Sequence, residues 1–310
     1  MVIVQKEISD QVRSIRFLIM VGIILLTCAG AMYTGLTNIA GSVKPNDPEG
    51  SFFFLRLFTI SDGTMPSFLV FITFLGPILG ICMGFDAINS EKNRGTLSFM
   101  LAQPIPRDYL INAKFTGSFI VISILMFSLG FLMLGLGLIT IGTPPTVEEF
   151  LRIVFFLILA CVYIAFWLNL SILLSVVCKQ AATSALAVIA IWLFFSVFYT
   201  MLVNLIAKGL APSEFAPTNQ IINYQRFVLD LLRIDPSHLF NEATSALLMP
   251  SVRSFGPLTM EQVYGALPNP LPLGQSLMVV WPQLTGLIAI TVICFALSYL
   301  SFMKREIRSK

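Results

Sequence analysis

IVFFLILACVYIAFWLNLSILLSVV, residues 153–177, contains no Asp, Glu, Lys, Arg or His. At 1.5 Å per residue, about 20 apolar residues in a helix cross the hydrocarbon core of a bilayer, and this block is long enough. Five more blocks of the same kind flank it: Phe17–Ile39, Pro66–Phe85, Phe115–Ile141, Thr183–Ala207 and Trp281–Met303. None carries an ionisable Asp, Glu, Lys, Arg or His. The first is too long for the apolar region of a signal peptide, roughly 7–15 residues, so it reads as a retained helix.

Composition agrees with a membrane chain. Hydrophobic residues make up 56% of the 310 positions, charged residues 11%, and the mean hydropathy is +0.87. A soluble domain carries roughly 25% charged residues, so too few are present here to coat a water-facing surface. The fold class expected is all-α and polytopic, with six transmembrane helices in the lipid bilayer and no nucleic acid partner. The five cysteines show no CxxC spacing and read as packing residues. His238 is the sole histidine, which excludes any site needing two within the chain.

An even number of spans puts both termini on one side. With the termini inside, Lys6, Arg13, Arg16, the basic residues of 86–114, Lys179 and the basic tail 304–310 are cytoplasmic. They outnumber Lys44, Arg56 and Arg152 in the short outside segments, which favours cytoplasmic termini in the plasma membrane. Three parts result: 1–207 with spans one to five, 208–280 outside, and 281–310 with span six and the tail.

Around the spans, residues 4–16 place Val4, Ile8, Val12 and Ile15 at helical spacing, suiting an interfacial helix. Phe52-Phe53-Phe54-Leu55 is expected to rest on the membrane surface. Gly76, Gly80 and Gly84 form a doubled GxxxG spacing for close helix packing. In 208–280, Thr218 to Ile234 reads as an amphipathic helix and Ser237 as the cap of a second one ending at Pro250. Together they predict a small helical extracytoplasmic cap off the membrane. Asn169, Ser171 and Ser175 share the fourth span and serve either helix–helix hydrogen bonds or a candidate substrate path. Glu148-Glu149 with Arg152 approximates the EExxxR pattern of membrane CAAX proteases, but that chemistry needs further histidines. The two Glu are expected to open the fourth span and Arg152 to snorkel at its outer end.

The loop FDAINSEKNRGTLSFMLAQPIPRDYLINAK, residues 85–114, holds the densest information. Gly95 breaks a charged stretch, after which Leu97, Phe99, Met100 and Leu101 present apolar groups that a protein partner would cover. The loop resembles the coupling segment of permease subunits of type-2 ABC transporters. The matching positions are Asp86, Glu91, Gly95, Thr96, Leu97, Pro104, Ile105, Arg107 and Lys114; Pro106 and Ala113 depart from the usual pattern. The layout is closest to the branch that includes the permease of nitrous-oxide-reductase maturation.

The resemblance implies a non-enzymatic permease beside a cytoplasmic ABC ATPase, two copies of each, the second permease being identical or a paralogue. ATP and Mg would belong to the ATPase, and no GxxxxGK[ST] occurs here. Asp86, Glu91, Arg94, Gly95, Thr96, Leu97, Met100 and Arg107 would form the coupling interface, with Glu91 facing the ATPase and Arg94 and Arg107 orienting the loop. Export by alternating access is implied as well. The competing class is an ion-coupled or passive transporter or channel, disfavoured because the spans lack ionisable groups at membrane depth.

Overall fold

The computed structural model describes residues 2–42, 52–61, 66–93, 95, 106–213, 216–252, 255 and 270–304, excluding the side chains of 2, 36, 38–42 and 107. All regular structure among them is helical: α1 Val2–Val12, α2 Ile15–Ser42, α3 Phe53–Thr59, α4 Phe68–Gly84, α5 Asn89–Asn93, α6 Arg107–Ile141 and α7 Val147–Val177. α8 Ala181–Leu193 continues through a π-turn, Phe194–Tyr199, into α9 Thr200–Leu210. α10 Thr218–Leu232, α11 Pro236–Leu248 and α12 Leu273–Lys304 follow. Six helical stretches are long and apolar enough to cross a membrane: Ile15–Gly35, Phe68–Asn93, Asp108–Ile141, Val147–Val177, Ala181–Leu210 and Leu273–Lys304. The protein is an all-α polytopic membrane protein.

α7 is the central helix, packed against α4, α6, α8, α11 and α12. Its Phe156, Tyr163 and Trp167 side chains are fully buried. α4 runs parallel to it in close register. A Cβ on Gly76 would sit 3.0 Å from Ile164 Cγ1, one on Gly80 would sit 2.8 Å from Ile164 O, and one on Gly84 would sit 2.8 Å from Ser171 Cβ. At Gly80 and Gly84 the obstacle includes backbone, so the two helices approach as closely as glycine permits, where dispersion forces replace the hydrophobic drive absent between lipid-soluble helices.

The end of the bundle carrying α1 and α5 is here termed basal and the opposite end distal. α6 begins at Arg107, well before the apolar block at Phe115, and its polar first turns extend basally as a seat for α1. At the distal end α3 does not lie on the surface as its aromatic run suggested. Phe54, Leu55, Leu57 and Phe58 are buried against α2, α4, α6 and α7. Phe58, Phe68 and Phe156 meet edge to face at centroid distances of 5.3, 5.9 and 6.3 Å. Burying this ring area outweighs leaving it at an interface.

Residues 218–248 also depart from a simple cap. Tyr224 Oη donates to Ala207 O (2.7 Å) and Tyr199 Oη to Leu231 O (2.6 Å), so α10 doubles back along α9 towards the π-turn. α11 then runs back distally between α4, α7 and α12. Its Phe240 stacks on Tyr163, midway along α7, at 4.4 Å. α10 therefore lies along α9 without a buried residue, and α11 is the arm of this re-entrant hairpin that is built into the bundle. The reason is the apolar stripe of Leu239, Phe240, Ala243, Ala246 and Leu247, a face too extensive to leave on water. Asp235, not Ser237, caps α11, its carboxylate accepting from Ser237 N at 2.9 Å with Pro236 at the first helical position.

The hairpin brings ionisable groups beside spans that contain none. Glu242 Oε2 accepts from Arg233 Nε (3.0 Å) and from Gln283 Nε2 of α12 (3.1 Å), and His238 Nε2 lies 3.5 Å from Glu242 Oε1. Burial pushes the Glu242 carboxyl up, but the bonds from His238, Gln283 and Arg233 prevail and leave it below its ordinary value.

Arg152 does not snorkel. It is fully buried, donating to Glu148 Oε1 (2.8 Å), Leu247 O (3.0 Å), Leu271 O (2.6 Å) and Ser276 Oγ (3.1 Å). One guanidinium thus fastens the distal end of α11 and the start of α12 to α7. Thr146 and Glu149 form a capping box at the start of α7, and the spare Glu149 oxygen accepts Phe54 N at 3.1 Å.

Candidate coupling site

At the basal end the chain leaves α4 through a turn at 85–88 and enters α5. Two serines of α7 hold this passage. Ser171 Oγ donates to Ile81 O (3.0 Å), and Ser175 Oγ accepts Ile88 N (3.1 Å) and Asn89 N (3.3 Å). Both hydroxyls make contacts between helices. Asn169 is buried, and its carboxamide has no hydrogen-bond partner among the described residues.

α5 carries Glu91 inward to Lys114 on the first turns of α6, at 3.5 Å. The same ammonium bonds both carboxylate oxygens of Glu7 on α1, at 3.0 and 3.1 Å. Side-chain exposure is 6% for Lys114, 8% for Glu7 and 16% for Glu91, so the triad is largely buried at the edge of a polar cleft. α1 lies directly on α6, since a Cβ on Gly117 would be 3.0 Å from Glu7 Cβ. Gln11 Nε2 donates to Met83 O and Ser118 Oγ, both at 3.2 Å, tying α1 to α4 as well as α6. Arg16, at the start of α2, pairs with Asp86 and lies 5.0 Å over the Phe85 ring. A polar cleft of about 460 Å³ opens between these groups.

The structure thus brings Asp86 and Glu91 together with Glu7, Gln11, Arg16 and Lys114. Gly95 lies in a turn with φ 73°, the left-handed region that glycine favours. Arg94, Thr96, Leu97 and Met100 lie outside the described residues, as does the side chain of Arg107, whose backbone opens α6. Glu7 and Gln11 escaped the sequence reading. Glu7 meets Lys114 across 107 positions, and nothing local in the sequence marks that partnership.

Chemically, the site holds ion pairs and hydrogen bonds that join α1 to α4 and α6, α2 to the turn after α4, and α5 to α6 and α7. Among the described residues no three His, Cys, Asp or Glu side chains cluster to hold a metal.

The family model described as ABC-2 family transporter protein matches residues 1–307. The chain is also 26% identical, over 207 residues, to a protein of Pseudomonas aeruginosa described as a probable ABC transporter permease protein NosY. That match covers 64% of this chain and 67% of the relative. With the whole membrane domain and its basal loop inside the match, the chain belongs to the ABC-2 transporter family, as a membrane-spanning permease component.

Proposed function

We propose that this chain is the permease subunit of an ATP-driven exporter in the plasma membrane, with both termini cytoplasmic. A cytoplasmic ABC ATPase, in two copies, docks on 86–107 and drives two permease chains between inward- and outward-facing states. ATP and Mg bind in that partner.

The observation that supports this most is the buried Glu7–Lys114–Glu91 triad. A push on the segment following α5 reaches Glu91, and through Lys114 it reaches α6 and α1 together. Ser175 passes the same displacement to α7 through Ile88 and Asn89, and Asp86 passes it to Arg16 at the foot of α2. Removing one member of a buried ion cluster costs about 3–5 kcal/mol, so the three segments are firmly held to one another. Packed helices respond to such a load by switching between discrete arrangements.

Glu91 has two roles in this reading: it anchors α5, and its backbone leads into the partner-facing segment. Glu91→Lys would set a cation against Lys114 and displace the loop while leaving the spans intact. Purification of the complex in mild detergent tests this. A stoichiometric nucleotide-binding subunit should accompany the wild-type chain and be reduced with Glu91→Lys. A chain that purifies alone, while a control ABC complex survives the same detergent, would overturn the proposal.

An ion-coupled carrier gains one point from the re-entrant hairpin, which carries Arg233, Asp235, His238 and Glu242 to the bundle. Arg233 and Glu242 neutralise each other, however. Transport in proteoliposomes that follows a proton or sodium gradient without ATP would favour that class.

A further inference from the structure

A second polar site lies away from the basal end, where the re-entrant hairpin meets the π-turn of the fifth span. A cavity of about 150 Å³ there is lined by Asp235, His238 and Asn241 of the hairpin, Thr73 of α4, and Ser196 and Thr200 at the π-turn. It lies at the level where Tyr163, midway along α7, donates to Thr73 O (3.0 Å) and meets Ser237 Oγ (3.1 Å). Apolar side chains dominate the surroundings: Phe74 faces the cavity, and Trp192 packs on it at 6.2 Å.

Three observations mark this cavity as built for a ligand group. Asp235 is only 5% exposed, and no Lys, Arg or His side chain among the described residues forms an ion pair with its carboxylate. Arg233, the nearest cation in sequence, is spent on Glu242 and Asp230, and the His238 imidazole is turned to Glu242. One Asp235 oxygen caps α11, accepting from Ser237 N at 2.9 Å. Burial pushes this carboxyl above its ordinary range, against the opposing influence of Ser237 and His238.

Next, the half-buried hydroxyl of Ser196 and the exposed one of Thr200 bond to no described group and line the same cavity. Finally, Ser196 belongs to a π-helical turn, Phe194–Tyr199. Such single turns cost helix regularity and recur where a helix must re-aim side chains at a functional site.

A full negative charge at Asp235 exceeds the roughly half-unit positive end of α11 beside it, so the cavity favours a cation. Its volume is below the roughly 300–1,000 Å³ of pockets that enclose whole drug-sized molecules, so it takes a head group rather than an entire substrate. Asp235, Ser196 and Thr200 supply three oxygen acceptors, matching the three N–H bonds of an –NH3+ group.

We propose that this cavity is a subsite for the primary ammonium group of an amphiphile whose apolar part lies along the second and fifth spans. As a station on a transport path it rests on the permease reading, whereas binding itself needs neither ATP nor the ATPase.

The test is thermal unfolding of the full chain in lipid nanodiscs, titrated with n-hexylammonium, hexyltrimethylammonium or hexanol. A ligand that binds the folded state raises the midpoint with a saturating dependence on its concentration. The variant Asp235→Asn keeps a good helix cap and removes the charge. It should raise the half-saturating n-hexylammonium concentration at least tenfold while leaving hexanol unchanged. Ser196→Ala with Thr200→Val, which leaves the α11 cap intact, should raise it several-fold for n-hexylammonium and leave hexyltrimethylammonium unaltered. Indistinguishable titrations of wild type and both variants, or three probes acting alike on the wild type, would overturn the proposal. Either result leaves the ATPase-driven reading untouched, because no nucleotide enters the assay.

Discussion

Lys114→Met removes the cation from the basal triad at nearly constant side-chain length. Glu7 and Glu91, 8% and 16% exposed, are then left facing each other without the ammonium that bonds both. Breaking a buried pair in this way costs about 3–5 kcal/mol. The loss should fall on α1 before the spans, because α1 is otherwise held by the two Gln11 bonds, the contact over Gly117 and the packing of Ile8. At about 1.4 kcal/mol per factor of ten, amide hydrogen exchange along Val2–Val12 should accelerate about 100- to 4,000-fold while α7 stays protected. Glu7→Gln keeps the Lys114–Glu91 pair and should accelerate exchange by about tenfold, in line with loss of one charge-assisted hydrogen bond. Adding Glu7→Gln to Lys114→Met should recover part of the loss, since one stranded carboxylate disappears. Exchange in α1 that is unchanged by Lys114→Met would refute the claim that this ammonium holds the helix down. Equal acceleration in α1 and α7 would show a global defect instead.

At the distal end, Arg152→Met strands the Leu247 and Leu271 carbonyls and should lower the stability of the purified chain by about 3–5 kcal/mol, read as a fall in its thermal midpoint. Gly80→Ala forces a Cβ to 2.8 Å from a backbone oxygen and should cost about 1–3 kcal/mol in the same assay, whereas Gly22→Ala, with nothing within 4 Å, should cost little. Glu242, whose carboxyl is held below its ordinary 4.5, contributes stability that is complete above that value. This contribution is lost as pH falls through the lowered value. Glu242→Gln should therefore flatten the acid limb of the stability profile; an unchanged acid limb would remove the cluster from the account.

The six spans were legible because a long apolar block without charges has few alternatives in water. The basal loop was legible where it combined charge, Gly95 and an apolar run at fixed spacing. What escaped the sequence depends on contacts between distant segments. The Glu7–Lys114 pair spans 107 positions, and Arg152 meets carbonyls at Leu247 and Leu271 that carry no side-chain signature. α11 looked like a surface helix because its polar residues are frequent, yet its Glu242 accepts from Arg233 and Gln283 against the bundle. The π-turn at Phe194–Tyr199 interrupts a uniform apolar run without any local marker.

The central claim is that force from an ATPase enters through the 86–107 segment and is carried inward by Lys114. Measuring ATP hydrolysis and transport together in the reconstituted complex, wild type against Lys114→Met, tests it most directly. The account predicts that hydrolysis continues while the amount transported per ATP falls severalfold. An unchanged ratio, with the ATPase still bound, would contradict it.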